Sequence, residues 1–161
     1  MTFETISGYV SFIISIIAIG LSIYSAVHSR RMEKENKYHN RRLLTLSAFN
    51  QLQAEVLDKI ILCTSEEIDD VVENHFNDDD LGELYDLYRT QIARLEHFAL
   101  GVNEELYDYD TFNKLAGLHM IFAIEKIMPI IIEVRNDVTT DDTAYCEVEK
   151  LYERLKKDHK C

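Results

Sequence analysis

Turn-forming residues are scarce in this sequence. Glycine occurs five times in 161 residues, proline once and tryptophan never. A β-sandwich needs a turn at the end of every short strand, so this composition argues against one. Because 47% of the residues are hydrophobic, the chain has enough apolar material for a core, which argues against disorder. The composition predicts an all-α fold.

Cysteine is also rare. Cys63, Cys146 and Cys161 lie far apart and form no Cys-x-x-Cys pair. This spacing argues against a disulfide framework or a zinc site, and it fits a reducing compartment. The six histidines form neither a His-x-x-x-His nor a His-Glu-x-x-His motif, and the chain has no phosphate-cradling glycine loop. We therefore predict no metal site, no cofactor and no enzymatic activity.

One pattern typical of an enzyme occurs near the C-terminus. Arg154 and His159 have the spacing found in helical HEPN-type ribonucleases. Those enzymes usually place a polar residue after the arginine, whereas Leu155 belongs to an apolar helical face here. We interpret this segment as a solvated basic tail. A membrane-tethered HEPN-like ribonuclease is therefore a distant third hypothesis for the function, after the membrane pore and the membrane-anchored scaffold that are introduced below.

Basic residues are few and unevenly distributed. The formal net charge is −12 and the isoelectric point is near 4.8. Residues 65–110 hold two basic and fifteen acidic residues, and they carry nearly the whole imbalance. A protein with this charge repels polyanions, so no binding of duplex DNA is expected. The run Asn-Asp-Asp-Asp at residues 77–80 predicts a loop and a helix N-terminus, where carboxylates complement the helix dipole.

Charge is absent altogether from residues 5–29, which contain no Asp, Glu, Lys or Arg. As a helix this stretch rises about 37 Å, enough to cross a hydrocarbon layer of about 30 Å with some tilt. A cleaved signal peptide would have basic residues before its apolar stretch, whereas the residues before this stretch include Glu4 and no Lys or Arg. We predict a retained transmembrane helix at residues 1–30, a basic juxtamembrane helix at 31–42 and a helical bundle at 43–161.

The residues around this span predict its orientation. One acidic residue precedes the span, and six basic residues follow it: Arg30, Arg31, Lys34, Lys37, Arg41 and Arg42. Because positive charge is retained on the cytoplasmic side, the N-terminus is expected outside and the bundle in the cytoplasm. This orientation agrees with reduced cysteines.

The same basic stretch is a candidate ligand site. In an oligomer, rings of Lys37, Tyr38, Arg41 and Arg42 would offer phosphate contacts and aromatic stacking to a nucleotide or an oligonucleotide. The alternative is that these cations set the topology and contact anionic lipid, at about 1 kcal/mol for each basic residue near the surface.

The serines of the span lie on one side of the predicted helix. At 100° per residue, the six serines and Ala18 fall within about 80° of arc. This stripe continues outward to Glu4, and its serines are Ser7, Ser11, Ser15, Ser22, Ser25 and Ser29. The stripe either packs neighbouring helices together or, with Glu4 at its outer mouth, lines a water-filled pore. Both interpretations require a homo-oligomer.

Helical periodicity covers the rest of the chain. A helix at residues 43–64 carries Phe49, Leu52, Val56, Ile60 and Cys63 on one face, and a short helix follows near residues 66–74. A long helix from about residue 81 is expected to end at Gly101. The next begins at Asp110 and carries Phe112, Leu115, His119 and Phe122 on one face; Pro129 kinks or ends it. Asp142 or Thr143 caps the last. These helices predict a four-helix bundle.

Several short motifs carry a resemblance to a known family. They are Leu-Glu-His-Phe-Ala-Leu-Gly-Val at residues 95–102, Leu-Tyr-Asp at 106–108, Ile-Met-Pro-Ile-Ile at 127–131 ahead of Arg135, and Tyr-Glu-Arg-Leu at 152–155. The sequence resembles, over residues 41–155, a bacterial family of helical domains of unknown function that are often tethered by one N-terminal transmembrane helix. The resemblance implies the bacterial inner membrane. It supplies no catalytic residues.

Small anchored helical proteins of this kind also resemble membrane effectors of anti-phage defence, such as Hailong-type systems. In that setting, a nucleotide or oligonucleotide made by a partner enzyme controls a protein that permeabilises the membrane. We therefore expect a homo-oligomeric, single-pass effector that forms an ion-conducting pore. The alternative is a membrane-anchored scaffold without a conduction path.

Overall fold

In a computed structural model, the described part of the chain is helical and contains no strand. The structure describes the backbone of residues 3–136 and 143–159 and the side chains of residues 15–136 and 143–159. The predicted all-α class is confirmed. The elements are α1 (Phe3–Leu52), a π-helical segment (Gln53–Leu57), α2 (Asp58–Leu62), α3 (Ser65–Asn74), α4 (Asp79–Asn103), α5 (Tyr109–Asn136) and α6 (Cys146–Asp158).

The chain divides into two compact units, Met1–Asn40 and Arg41–Cys161. In the first unit, every described side chain, from residue 15 to residue 40, is exposed. In the second unit, the end of α1, the π-helical segment and helices α2 to α6 enclose a hydrophobic core. An aromatic cluster lies in this core, because the ring of Phe112 is 5.9 Å from that of Phe49 and 5.1 Å from that of Phe98.

Local hydrogen bonds fix the starts of the helices. Thr64 begins α3 with a capping box, in which its hydroxyl accepts from the Glu67 amide and the Glu67 carboxylate accepts from the Thr64 amide. Asp78 caps α4 by accepting from the amides of Asp80 and Leu81, which confirms the prediction for residues 77–80.

The predicted start of α5 is wrong by two residues. The carboxylate of Asp108 accepts from the Thr111 amide at 2.9 Å and occupies the capping position, whereas Asp110 lies in the first turn. Both residues are aspartates, so sequence spacing alone could not distinguish them. Asp108 is the one held in place by a tertiary contact, which is described below.

The helix end predicted at Gly101 does not occur, and of the two alternatives predicted for Pro129, a kink or a helix end, the end does not occur. Gly101 lies inside α4, which continues to Asn103. A Cβ atom at Gly101 would overlap the ring of Tyr107, so its role is to admit this ring rather than to stop the helix. Helix α5 continues through Pro129 to Asn136.

The predicted apolar face of α5 is only partly buried. Phe112 is in the core, but Leu115, His119 and Phe122 are exposed. The buried face is turned away from them and consists mainly of Ala116, Met120, Ala123, Ile124, Ile127, Ile130 and Ile131. Since α5 is apolar on both sides, periodicity could not show which side packs inward.

The last helix begins without a side-chain cap of its own. Asp142 lies outside the described residues, and the carbonyl oxygen of Thr143 accepts from the Cys146 amide. Glu96 of α4 provides the missing acceptors, because its carboxylate accepts from the amides of Glu147 and Val148 at 3.0 and 2.8 Å. A residue about fifty positions earlier in the chain therefore caps α6.

Among the described residues, α5 is the one helix that is long and apolar enough to cross a membrane. Twelve of its 28 residues are buried, and ten of these belong to the hydrophobic core of the second unit, so much of its apolar surface is used for packing within the bundle. The predicted span at residues 5–29 begins where side chains are not described, so it stays a prediction.

Candidate functional site

The turn between α4 and α5 is held by side chains from α1. The hydroxyl of Thr45, which is fully buried, accepts from the Asp108 amide at 2.7 Å and donates to the Arg41 carbonyl at 2.8 Å. The Arg41 guanidinium donates to the Tyr107 carbonyl at 3.5 Å and lies 3.9 Å from the exposed Glu105 carboxylate. We call this set of contacts the α1–turn junction.

Arg42 extends the junction to the start of α5. Its Nε donates to the Thr111 hydroxyl at 3.1 Å, and the Thr111 amide donates to Asp108. Partial burial disfavours the charged form of Asp108, but the hydrogen bonds from Thr111 and the positive charges of Arg41 and Arg42 outweigh it. Together they hold the pKa of Asp108 below its ordinary value.

The structure thus gives the four predicted ligand-binding residues two different settings. Lys37 and Tyr38 belong to the first unit and are exposed. Arg41 and Arg42 belong to the second unit and bond to its main chain and side chains. These two arginines have a structural role, and their role toward a ligand stays a prediction.

The Arg154–His159 pattern lies beside the same end of the bundle. The Arg154 guanidinium stacks on the Tyr109 ring at 3.5 Å, and the Tyr109 hydroxyl donates to Asp158 at 2.7 Å. Burial and the Asp158 carboxylate raise the pKa of Tyr109. His159 Nε2 lies 2.7 Å from the Asn113 amide oxygen. Each of the two motif residues therefore has a packing partner on α5, which is typical of helix docking.

A small cavity of about 180 Å³ connects these two features. It brings Arg41 and Arg154 together with the carboxylates of Glu105, Asp108 and Asp110. The buried Nε of Arg41 has no hydrogen-bond partner among the described residues. Because three carboxylates face two guanidinium groups, an added phosphate would compete with them for the arginines. The cavity favours charge pairing within the protein over strong anion binding.

A second cleft, of about 350 Å³, lies between the π-helical segment and α4. Glu55 accepts from Gln51 at 3.2 Å and pairs with Arg94 at 2.8 Å, and the exposed His97 also lines the cleft. π-Helical turns often occur at functional sites. The floor is apolar and includes Phe98, whose ring stacks on Tyr107 at 5.3 Å.

The motif at residues 95–102 is mostly explained by packing. Leu95, Phe98, Ala99 and Val102 are core residues, Glu96 caps α6 and Gly101 admits the Tyr107 ring. His97 and Leu100 are exposed. His97 is thus the motif residue whose chemistry the fold does not use.

The predicted pore-lining residues are described in part. Ser15, Ser22, Ser25 and Ser29 are exposed on α1. The Ser22 hydroxyl donates to the Ala18 carbonyl at 2.9 Å, so it is satisfied within its own helix. The side chains of Glu4, Ser7 and Ser11 lie outside the described residues.

Sequence reasoning did not single out Thr45, Glu96 or Tyr109 as organising residues. Their partners lie 63, 51 and 49 positions away along the chain. No periodicity or local motif encodes such pairs, although a buried polar side chain in an apolar face, such as Thr45, is a usable signal.

Comparison with curated proteins and with solved structures gives no significant match. A family described as a domain of unknown function, DUF4760, matches residues 12–155. The match starts inside the predicted transmembrane helix, well before the motifs that carried the resemblance. The family domain therefore includes most of α1 and the bundle up to residue 155, and the chain belongs to the DUF4760 family.

Proposed function

We propose that this protein is a single-pass membrane effector of the bacterial inner membrane that self-assembles into an ion-conducting pore. The observation that carries the proposal is the exposure of large apolar side chains in the first unit. Between 48 and 70% of the surface of each is exposed: Ile16, Ile17, Ile19, Leu21, Ile23, Tyr24 and Val27.

The arrangement of these side chains favours lipid as their solvent. At 100° per residue they cover about 200° of the helix, and the serine stripe occupies part of the remaining arc. Moving each large apolar side chain out of water is worth about 1.5–3 kcal/mol. A helix with a broad apolar face and a narrow hydroxyl face suits a membrane assembly in which the hydroxyl faces meet at the centre.

The basic residues after the span support a cytoplasmic bundle. They lie at residues 30–42, within the range where positive charge sets topology. The second unit would then be exposed to cytoplasmic ligands and partners, in agreement with its free Cys63 and Cys146.

The α1–turn junction gives the bundle a way to control the span. Arg41, Arg42 and Thr45 are residues of α1 itself, and they hold the turn between α4 and α5. A cytoplasmic ligand or partner that displaces this turn breaks contacts made by α1. We propose that such a ligand, a nucleotide or oligonucleotide by the resemblance to Hailong-type effectors, controls conductance in anti-phage defence.

A flux experiment with a matched pair of variants tests the pore. Wild-type protein reconstituted in liposomes is expected to pass ions. Ser22→Leu adds a leucine to the proposed lining, so it should block flux by dewetting while the oligomer persists. Ile19→Leu, on the lipid-facing arc, should leave flux unchanged. Glu4→Gln should reduce cation preference without abolishing conductance.

Two outcomes would overturn the proposal that the span forms a pore. If Ser22→Leu dissociates the oligomer, the stripe packs helix against helix. If wild-type liposomes carry no current with any nucleotide added, and the oligomer is intact, the membrane-anchored scaffold is the better description. A monomer in mild detergent that also fails to crosslink in membranes would contradict both.

A further inference from the structure

The cleft between the π-helical segment and α4 has two walls, which come from different parts of the second unit. The end of α1 and the π-helical segment form one wall, and α4 and the turn after it form the other. The first wall consists of Ala48, Gln51, Leu52, Glu55 and Val56, and the second of Arg94, His97, Phe98 and Tyr107. Its volume of about 350 Å³ is within the range of small-molecule sites.

Three of the nine lining residues carry aromatic rings. Phe98 is buried, Tyr107 is half-buried and stacks on it, and His97 is exposed. The guanidinium of Arg94 adds a further planar group. Aromatic rings and guanidinium planes hold a flat ring by stacking, so this lining favours a planar aromatic ligand over an aliphatic one.

The polar groups of the cleft place hydrogen-bond acceptors beside donors. One oxygen of the Glu55 carboxylate accepts from Gln51 and the other from Arg94, and both groups retain capacity for further hydrogen bonds. Neighbouring acceptors and donors are the pattern that recognises the edge of a nucleobase. Arg94 is the one arginine or lysine of the lining, and Glu55 compensates its charge. The cleft therefore suits a base better than a chain of phosphates.

Two features of the cleft are typical of a binding site. His97 is exposed and forms no hydrogen bond with a described residue, although its neighbours in the motif at residues 95–102 serve the packing of the bundle. The π-helical segment carries Glu55 and Val56 into the first wall, and π-helical turns are rare and often occur at functional sites.

We propose that this cleft binds the heteroaromatic base of a nucleoside or nucleotide, with the ring against His97 and Tyr107 and the base edge on Glu55 and Arg94. This inference rests on the proposed function, because it assigns a site to the base of the controlling ligand. The phosphate of a nucleotide then extends out of the cleft and contributes little to binding.

Tyr107 links the cleft to the α1–turn junction. Its ring lines the cleft, and its carbonyl accepts from Arg41 at 3.5 Å. A base between the two walls touches α1 and the turn at once. The bound ring therefore acts on the same contacts that join α1 to the turn.

Nuclear magnetic resonance of the histidine rings tests the site in the full-length protein in mild detergent. The probes are adenosine, guanosine, cytidine and uridine, and ribose 5-phosphate and inorganic phosphate serve as controls without a base. The signal of the His97 ring is identified by its loss in His97→Gln. At least one nucleoside should shift this signal saturably, whereas the signal of His119, exposed on α5, should stay in place.

Three results of this titration would overturn the inference. They are no shift with any of the four nucleosides at millimolar concentration, equal shifts at His97 and His119, and a shift of His97 by ribose 5-phosphate or inorganic phosphate as large as that by a nucleoside. The last result would mean that the cleft holds a phosphate and not a base.

A matched pair of arginine variants supplies a second readout. Arg94→Gln removes the charged donor at the base edge and should weaken binding of the nucleoside by about tenfold. Arg89→Gln, which breaks an exposed ion pair with Asp86 on the same helix, should change it by less than about twofold. Equal effects of the two variants would contradict the assignment of Arg94 to the base edge.

The phosphate gives a third comparison. A nucleoside and its 5′-monophosphate should bind within about threefold of each other, and a preference for the monophosphate of more than about tenfold would contradict the inference. Failure of these binding tests leaves the proposed pore standing, because the oligomer and its ion flux are measured without a nucleoside. A wild-type monomer that passes no ions would instead overturn the proposed function, while binding in the cleft would still be measurable.

Discussion

The two units of this chain use the same apolar residue types in opposite ways. In the first unit Ile23 is 61% exposed, whereas in the second unit Ile127 is fully buried. The bundle supplies its isoleucines with neighbouring side chains from several helices. In the first unit, by contrast, the described side chains of residues 15–40 are all exposed. Composition alone therefore does not reveal whether an apolar helix belongs to a core or to a membrane.

This difference in burial predicts that truncating a core side chain of the bundle strongly lowers its free energy of unfolding. Phe112→Ala removes a fully buried ring that contacts the rings of Phe49 and Phe98. We expect a loss of about 3–5 kcal/mol in the free energy of unfolding, a large share of the stability of an ordinary domain. Urea unfolding of the full-length protein in mild detergent, followed by the near-ultraviolet circular dichroism of tyrosine, measures it.

Phe76→Ala is the matched control, because the same side chain is removed from an exposed position. Its unfolding midpoint should stay close to that of the wild type. Equal losses from the two variants would show that the core assigned to the second unit is wrong.

Replacing one glycine in each unit compares the packing around two helical positions, and the expected change in stability is of intermediate size. A Cβ at Gly101 would overlap the Tyr107 ring, whereas a Cβ at Gly20 would meet nothing within 4 Å. Gly101→Ala should destabilise the bundle by about 1–2 kcal/mol, since overpacking costs more than alanine contributes to the helix. Thermal unfolding in detergent, read by the same tyrosine signal, measures the shift.

Gly20→Ala should leave that transition where it is. Gly20 lies about 180° from the centre of the serine stripe, so the oligomer should also be unchanged. Dissociation of the oligomer by this variant would place the contact between helices away from the serine stripe, and it would contradict both interpretations of the stripe, helix packing and pore lining.

The parts of this structure that are local in sequence could be predicted. Asp78 caps a helix that starts at the next residue, and the faces of the helix at residues 43–64 follow from periodicity alone. The hydrogen bonds of Arg41 and Arg42 to Tyr107 and Thr111 could not be predicted, because they join residues 66 and 69 positions apart. The sequence predicts these arginines as topology signals or ligand contacts near a membrane, whereas in the fold they bond to the turn between α4 and α5.

Helix α5 shows a second limit of prediction from sequence, which concerns the side of an apolar helix that is buried. Phe112, Leu115 and Phe122 share a periodic pattern, yet only Phe112 is buried. The rest of the buried face consists mainly of alanines and isoleucines. Hydrophobic periodicity identifies an apolar face that needs a packing partner, but it does not show whether that partner belongs to the same chain. The same ambiguity applies to the serine stripe.

The smallest effect on stability is expected at the α1–turn junction, where the free energy of unfolding depends on pH. Asp108 has a pKa below its ordinary value because hydrogen bonds from Thr111 and the charges of Arg41 and Arg42 outweigh its burial. A carboxylate with a lowered pKa in the folded state stabilises that state above the unfolded pKa, about 3.9 for aspartate, and loses this contribution as the pH falls through its folded pKa. Asp108→Asn retains an oxygen that can cap α5 but removes the charge.

We therefore expect Asp108→Asn to lower the free energy of unfolding by about 0.5 kcal/mol at pH 7, and to match the wild type once the pH is below the folded pKa of Asp108. Urea titrations of both proteins at a series of pH values between neutrality and the acid transition measure the difference. Asp69→Asn, an exposed carboxylate in the middle of α3, serves as the control and should follow the wild-type curve throughout. If Asp108→Asn also follows that curve at every pH, the arginines of α1 do not stabilise the turn electrostatically. The junction would then rest on its hydrogen bonds, those of the Thr45 hydroxyl with the Asp108 amide and of the two arginines with Tyr107 and Thr111, and not on charge pairing with Asp108.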